Sequence, residues 1–170
     1  MAKNEAKIKF TAETGGFNDA IKKSNDQMAK LRAEMKLNDT QMKAAGTSVE
    51  GLENKHKILT AQLAASESKT AALSQKVEKA AQIFGENSNE VIKLKTQLTN
   101  ALTAEEKIRQ AINSCNAELD DQRNAARETE SATSRLTNTI RDQQSELSRL
   151  KSEYSEAVLK YGAASSEAKE

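Results

Sequence analysis

The side chains best suited to chemistry in this sequence are its single histidine, His56, and its single cysteine, Cys115. A histidine can bind a metal or change charge near neutral pH, and a cysteine can act as a nucleophile or form a disulfide. Neither has the companions that such chemistry needs, because no further histidine, cysteine or aspartate stands at ligand spacing from His56. Serine-histidine-aspartate arrangements, glycine-rich phosphate loops and calcium-binding loops are also missing from the sequence. We therefore expect no enzyme activity, no cofactor and no metal.

Both residues lie on an apolar seam with a seven-residue repeat. With Ile21 as position a and Ser24 as position d, 31 of the 42 a and d positions from residue 21 to residue 164 are apolar, against 36% of the whole chain. The repeat keeps its phase as far as Tyr161, which predicts a left-handed coiled coil. We interpret His56, at a, as a polar layer that fixes the register of the helices. Cys115, at d, fits a small buried hydrophobe.

The apolar seam residues are the predicted contacts of a homo-oligomer. Their types do not select two strands over three. Three charge pairs at g and e positions favour a parallel, in-register arrangement: Glu90–Lys95, Glu118–Arg123 and Glu146–Lys151. The predicted contact residues are Ile21, Met28, Leu31, Met35, Met42, Val49, Leu52, Leu59, Leu63, Leu73, Val77, Phe84, Val91, Leu94, Leu98, Ile108, Ile112, Leu119, Leu136, Ile140, Leu147, Leu150 and Tyr154.

Polar residues interrupt the seam at intervals. We expect them to weaken the coil locally, and to specify its register or permit bending. The longest weak stretch runs from residue 122 to residue 133, where only Ala126 is apolar on the seam. The polar seam residues are Asn38, Ser66, Thr70, Asn87, Glu105, Gln122, Thr129, Thr133 and Gln143.

The composition indicates an all-α chain that forms a long helix rather than a compact globule. Aromatic residues make up 3% of the 170 residues and charged residues 30%, the mean hydropathy is -0.75, and proline is absent. This composition is typical of long helices and coiled coils. A net charge of +1, with lysine and glutamate interspersed, argues against a nucleic-acid partner. Because no apolar run nears the roughly 20 residues that span a bilayer and no secretory signal is present, we expect no membrane partner and a reduced, cytoplasmic place of synthesis.

The first 16 residues differ from the rest of the chain. Polar and apolar residues alternate around Ile8, Phe10 and Ala12, which predicts a short strand or else a flexible N-terminal segment. A single strand would need a partner to be stable. From residue 17 the apolar spacing is helical, so we divide the chain into a strand-like or flexible segment at 1–16 and a coiled-coil domain at 17–170.

Four interior glycines are soft points of this pattern: Gly46, Gly51, Gly85 and Gly162. Cap-like residues follow Gly46, Gly85 and Gly162, and recurring flanks indicate weak repeats of about 39 residues. Two architectures are therefore open. In one, antiparallel helical hairpins turn near Gly46, Gly85, Asn124 and Gly162. In the other, one long extended helix forms a parallel coiled-coil homo-oligomer. We favour the long helix, because no glycine stands at a or d and a glycine within a helix costs only about 1 kcal/mol.

Four stretches of the sequence carry a family resemblance: residues 6–23, 28–39, 46–53 and 84–91. They include Gly15-Gly16-Phe17 and the segments that surround Gly46 and Gly85. These stretches resemble the N-terminal region of tail tape measure proteins from long-tailed phages and prophages of Gram-positive bacteria. The resemblance covers roughly residues 6–105, and the later part is similar to coiled coil in general.

The resemblance implies a structural role. Tape measure proteins fill the lumen of the tail tube as extended helical oligomers, set tail length because tube subunits polymerise around them, and leave ahead of the genome at infection. It implies a homo-oligomer, with three copies favoured, whose partners are the tail tube protein and the tail assembly chaperones. Its locations are the virion tail lumen and, during assembly, the host cytoplasm. Complete members of the family are longer, so we expect this chain to be an N-terminal fragment. The alternative function is that of a host-encoded coiled-coil scaffold or tether without a virion role.

Overall fold

The computed structural model describes the backbone of residues 2–161 and the side chains of residues 4–160. Within those residues the chain forms three helices, α1 (Ala2–Ala45), α2 (Val49–Phe84) and α3 (Asn89–Tyr161), and no strand. The predicted all-α class is therefore confirmed. The lack of proline lets each helix run uninterrupted, since proline removes a backbone donor and clashes with the preceding turn.

The strand predicted around Ile8, Phe10 and Ala12 is wrong, because these residues lie within α1. A lone strand leaves its backbone hydrogen-bonding groups without partners, whereas a helix satisfies them internally. The helix also allows Phe10 to pack against α2. Its ring meets Phe84 edge-on, with 5.2 Å between the ring centroids, and this contact helps to anchor the start of α1.

The single long helix predicted from residue 17 is also wrong, because the chain turns after α1 and again after α2. Gly46 and Gly85 have φ angles of 88° and 83°, a region that glycine enters without steric cost. The hairpin alternative is confirmed at these two sites. It is wrong near Asn124, where α3 continues. The turn predicted at Gly162 lies outside the described residues.

The unbroken heptad phase does not distinguish a hairpin from a continuous helix. The turns occupy residues 46–48 and 85–88. The apolar seam residues on the two sides of each turn keep heptad spacing, four residues apart across the first turn and seven across the second. The next apolar seam residue after Ala45, at d, is Val49, at a. The next one after Phe84, at a, is Val91, also at a. Each helix therefore keeps its apolar stripe in phase even though the chain reverses direction.

Serine side chains begin α2 and α3. Ser48 Oγ accepts a hydrogen bond from the backbone N–H of Gly51 at 3.1 Å, and Ser88 Oγ accepts one from the backbone N–H of Val91 at 3.3 Å. Each bond satisfies a backbone donor that the first helical turn leaves without a partner. The predicted capping motifs, which begin one residue before these serines, thus mark the starts of both helices.

The chain divides into two units, Met1–Gln122 and Arg123–Glu170. In the first unit, α1, α2 and the beginning of α3 pack as an antiparallel three-helix bundle. The direction is visible in the contact between Lys55, early in α2, and Glu118, near the end of this part of α3, at 3.3 Å. The second unit, taken by itself, is helical from residue 123 to residue 161, and its leucine and isoleucine side chains are exposed.

Candidate interaction surface

The predicted oligomer seam divides between the two units. From Ile21 to Leu119, the predicted contact residues are buried or half-buried inside the three-helix bundle of a single chain. In the second unit they are exposed, and we name this group the exposed stripe: Leu136, Ile140, Leu147, Leu150 and Tyr154. The first part of the seam is therefore a core within one chain, and the second part is available to another molecule.

One core cluster of the first unit surrounds the single cysteine. Cys115 is fully buried, and its Sγ donates a weak hydrogen bond to the backbone oxygen of Leu52 at 3.4 Å. Burial raises the pKa of the Cys115 thiol, because the thiolate would lose its hydration. The cysteine thus lies where the heptad pattern predicts a small buried side chain. The cluster consists of Leu52, Leu59, Cys115 and Leu119, with Met35, Met42, Val49, Ala111 and Ile112 packed against it.

A second core cluster lies beside the turn between α2 and α3. Ala80 and Val91 are fully buried, and Leu94 is 7% exposed. The half-buried ring of Phe84 closes this cluster against Phe10 of α1. All three helices therefore contribute apolar side chains to it, which shows that the bundle includes the start of α1 that the sequence assigns to a separate segment.

Gly51, predicted as a soft point, is a site of close approach between α1 and α2. A Cβ atom added to Gly51 would lie 2.7 Å from Met42 Cγ and 2.9 Å from its Sδ. The backbone oxygen of Gly51 also accepts a hydrogen bond from Asn38 Nδ2 at 3.0 Å. The missing side chain thus leaves room for the Met42 side chain of the neighbouring helix.

Buried polar side chains of the first unit bond between helices. Gln62 Nε2 donates to the backbone oxygen of Leu31 at 3.3 Å, and Thr70 Oγ1 lies 2.9 Å from Glu105 Oε2. Because a buried polar group without a partner costs free energy, such pairs favour one register of the helices over others. Thr70 and Glu105, predicted as weak layers of a coil, are in fact a specific contact between α2 and α3.

An ion-pair cluster on the bundle surface was not predicted from the sequence. Arg109 Nη2 lies 2.5 Å from Glu67 Oε1 and 3.0 Å from Glu105 Oε1. The side-chain hydrogen bond to Glu105 raises the pKa of the Arg109 guanidinium. The four-residue spacing from Glu105 to Arg109 is a sequence signal for such a pair. Glu67 gives no such signal, because it belongs to α2 and meets Arg109 only through the packing of two helices.

His56 lies half-buried on α2. Its backbone oxygen accepts a hydrogen bond from Thr60 Oγ1 at 2.9 Å, within the same helix. In the part of the chain that the structure describes, no group of three or more histidine, cysteine, aspartate or glutamate residues could hold a metal ion. His56 thus stands at a half-buried seam position of the first unit.

The exposed stripe has the properties of a helix face that another helix could cover. Its five members, in chain order, are 61%, 46%, 54%, 48% and 55% exposed. They recur at steps of three, four and seven residues, which places them on one side of the helix. Covering apolar side chains of this size with another apolar surface removes them from water, which is favourable in free energy.

Charged residues beside the exposed stripe are held within the helix. Arg149 contacts both Glu146 and Glu153. Its hydrogen bond lowers the pKa of the Glu146 carboxyl, and the same bond raises the pKa of Arg149. Because both glutamates stand at g positions, their ion pairs with Arg149 lie along the border of the stripe.

Comparisons with known proteins identify no relative. Models of protein families, curated proteins and solved structures give no match to this chain. Over the described residues, we find no helix with the length and apolar character needed to cross a membrane. The exposed stripe, the bundle and the sequence resemblance are therefore what bears on function.

Proposed function

We propose that this chain is a structural protein of a phage tail, the N-terminal region of a tail tape measure protein, and that it is not an enzyme. The observation that carries the proposal is the exposed stripe, a helix face with heptad spacing and large apolar side chains. Such a face suits assembly with other helices. A small substrate would instead need a concave pocket with convergent polar groups.

The stretches that resemble tape measure proteins support this role. Two of them, 46–53 and 84–91, span the turns of the first unit, and 6–23 forms the early part of α1. In this role the copies form a parallel coiled-coil homo-oligomer, a trimer by resemblance, in the lumen of the virion tail. Its partners are the tail tube protein and, in the host cytoplasm during assembly, the tail chaperones. The oligomer leaves the tail before the viral genome is ejected.

Tail length is the property that tests the proposal. An α-helix rises 1.5 Å per residue, so an in-frame deletion of three heptads within residues 126–150 of the parent protein should shorten the tail by about 32 Å. Whole heptads keep the remaining seam in phase, and the deletion leaves the bundle residues unchanged. Electron micrographs of assembled tails give the measurement.

The matched control restores the deleted length with three heptads of unrelated coiled-coil sequence. Tail length should then return to the wild-type value, because a ruler depends on the number of residues and not on their identity. An unchanged tail length after the deletion would refute the tape measure role.

A host-encoded coiled-coil scaffold or tether is the second candidate, and the hairpins of the first unit favour it. A ruler converts residues to distance linearly along an extended helix, whereas the helices of the first unit fold back on one another. Neighbouring genes separate the candidates. Genes for a tail tube protein and tail chaperones just upstream support the phage role, and a locus without tail genes supports the scaffold.

A further inference from the structure

We propose that the exposed stripe binds the same stripe of a second copy of this chain, parallel and in register. The inference rests on the proposed self-association and not on the phage role. It assigns the contact between copies to residues 136–154 of the second unit. It leaves the first unit as a bundle that each copy forms from its own helices.

The first unit is poorly suited to binding another copy through the seam. Leu52, Val91 and Cys115 are each 0% exposed, because helices of the same chain already cover them. A second copy could reach these side chains only if the hairpins opened, and opening them would expose the core that the three helices now bury. The exposed stripe is different, since its association buries apolar surface that faces water in the single chain.

The positions of the stripe residues match the core of a two- or three-stranded coil. Ile140, Leu147 and Tyr154 occupy three successive a positions, and Leu136 and Leu150 occupy d positions. In a parallel coil, a and d side chains of one helix insert between side chains of the facing helix. The stripe can therefore be covered by an identical stripe without rearranging the helix that carries it.

Charges beside the stripe favour the parallel orientation. Glu146 at g and Lys151 at e stand five residues apart, so each Glu146 meets Lys151 of the other copy in a parallel, in-register pair. No g-to-e pair wholly within residues 123–158 brings like charges together. An antiparallel pair places g positions against g positions, and no two g residues within 123–158 carry opposite charges, so that orientation gains no such ion pair.

Gln143 favours one register among the parallel alignments. It is the one polar d residue between Leu136 and Leu150. In register, it faces Gln143 of the other copy, and the two amides can bond to each other. A shift by one heptad would set the amide against Leu136 or Leu150 and leave its polar atoms buried without partners.

Cysteine crosslinking of the full-length chain tests the orientation and the register. In a Cys115→Ala background, Gln143→Cys and Leu150→Cys, made singly, each place one thiol at a d position. Both variants should form an interchain disulfide under mild oxidation. Only a parallel, in-register pair places each of the two positions beside the same position of the other copy. Ser152→Cys, at an exposed f position, is the matched control and should stay uncrosslinked on non-reducing gels. Crosslinking of one d variant alone, or of the control as readily, overturns the proposal.

The mass of the full-length chain in solution tests the stripe itself. Light scattering coupled to chromatography should show an oligomer for the wild type and a single chain for the Ile140→Asp, Leu147→Asp double variant. Leu37→Asp is the control, because Leu37 is 60% exposed on α1 of the first unit and should leave the oligomer intact. A monomeric wild type, or a double variant that stays oligomeric, overturns the contact.

These outcomes are separate from the tail-length test. A monomeric wild-type chain overturns the stripe contact whatever the tail length does. An oligomer combined with an unchanged tail length after heptad deletion overturns the phage role and leaves the stripe contact standing.

Discussion

Residues at the same heptad position have different surroundings in the two units. Leu52 and Leu150 both stand at d, yet Leu52 is 0% exposed and Leu150 is 48% exposed. Leu52 packs in the cluster that contains Cys115 and Leu119, which belong to α3. The contribution of a seam leucine to stability therefore depends on whether another helix of the chain covers it, since burial and not residue type supplies the free energy.

The buried thiol of Cys115 should react slowly in the native chain. The thiolate is the reactive form, and burial both raises the pKa of this thiol and shields it from reagent. At neutral pH, iodoacetamide should modify Cys115 at least about tenfold more slowly than an exposed cysteine, and denaturant should remove the difference. Mass spectrometry over time gives both rates.

The control for this reaction is the Cys115→Ala chain with Ser152→Cys, which carries one exposed thiol in its place. Equal rates for the two chains would contradict the core position of Cys115. The raised pKa lowers the thiolate fraction of Cys115. The rate of its modification in the folded chain should therefore still increase with pH in the range where an ordinary thiol is already fully ionised.

Glycines have three different roles in the helices. Gly46 and Gly85 end helices with positive φ, Gly51 leaves room for Met42, and Gly16 lies inside α1 with nothing within 4 Å of an added Cβ. The sequence presents the same residue type in each case. The backbone conformation and the neighbouring helix decide which glycine the fold requires.

Alanine substitution should separate these roles. Gly85→Ala should destabilise the chain by about 1–3 kcal/mol, because φ 83° and ψ 150° are strained for any residue with a Cβ. Gly16→Ala is the matched control and should stabilise α1 by up to about 1 kcal/mol, because alanine is the better helix former and the site has space. Denaturant unfolding followed by circular dichroism measures both, and the reverse ranking would contradict the turn at Gly85.

The whole chain combines a unit with its own core and a unit whose apolar residues are exposed. The first unit buries its seam among three helices of one chain. The helix of the second unit has an amphipathic face, and such helices gain most of their stability from packing against a partner. Folding of the first unit should therefore be independent of protein concentration, and folding of the second should depend on it.

Thermal unfolding should show two transitions. The midpoint of the transition that belongs to the second unit should rise with protein concentration, because association stabilises only the folded form. The midpoint of the bundle transition should stay constant. Circular dichroism at two concentrations, with Ile140→Asp, Leu147→Asp as the control that lacks the concentration-dependent step, tests this. A single transition that does not move with concentration would contradict the division of the seam.

Much of the helical structure was predictable, and the errors have physical causes. The capping serines Ser48 and Ser88 and the turn glycines carry local signals, because their hydrogen bonds and φ angles involve residues close in the chain. The strand prediction failed because a short period-two pattern around Phe10 is ambiguous. Its outcome depends on Phe84, a residue distant in sequence.

The sequence by itself determined that the chain is helical from residue 17, which residues form the apolar seam, and that capping motifs follow Gly46 and Gly85. Only the tertiary structure decided what covers that seam. A heptad phase is a property of spacing along the chain, and in this sequence it is the same before and after the turns at 46–48 and 85–88. Because the chain reverses direction at Gly46 and Gly85, the seam residues of α1, α2 and the beginning of α3 pack against one another in the first unit. The residues of the exposed stripe, from Leu136 to Tyr154, face water in the second unit.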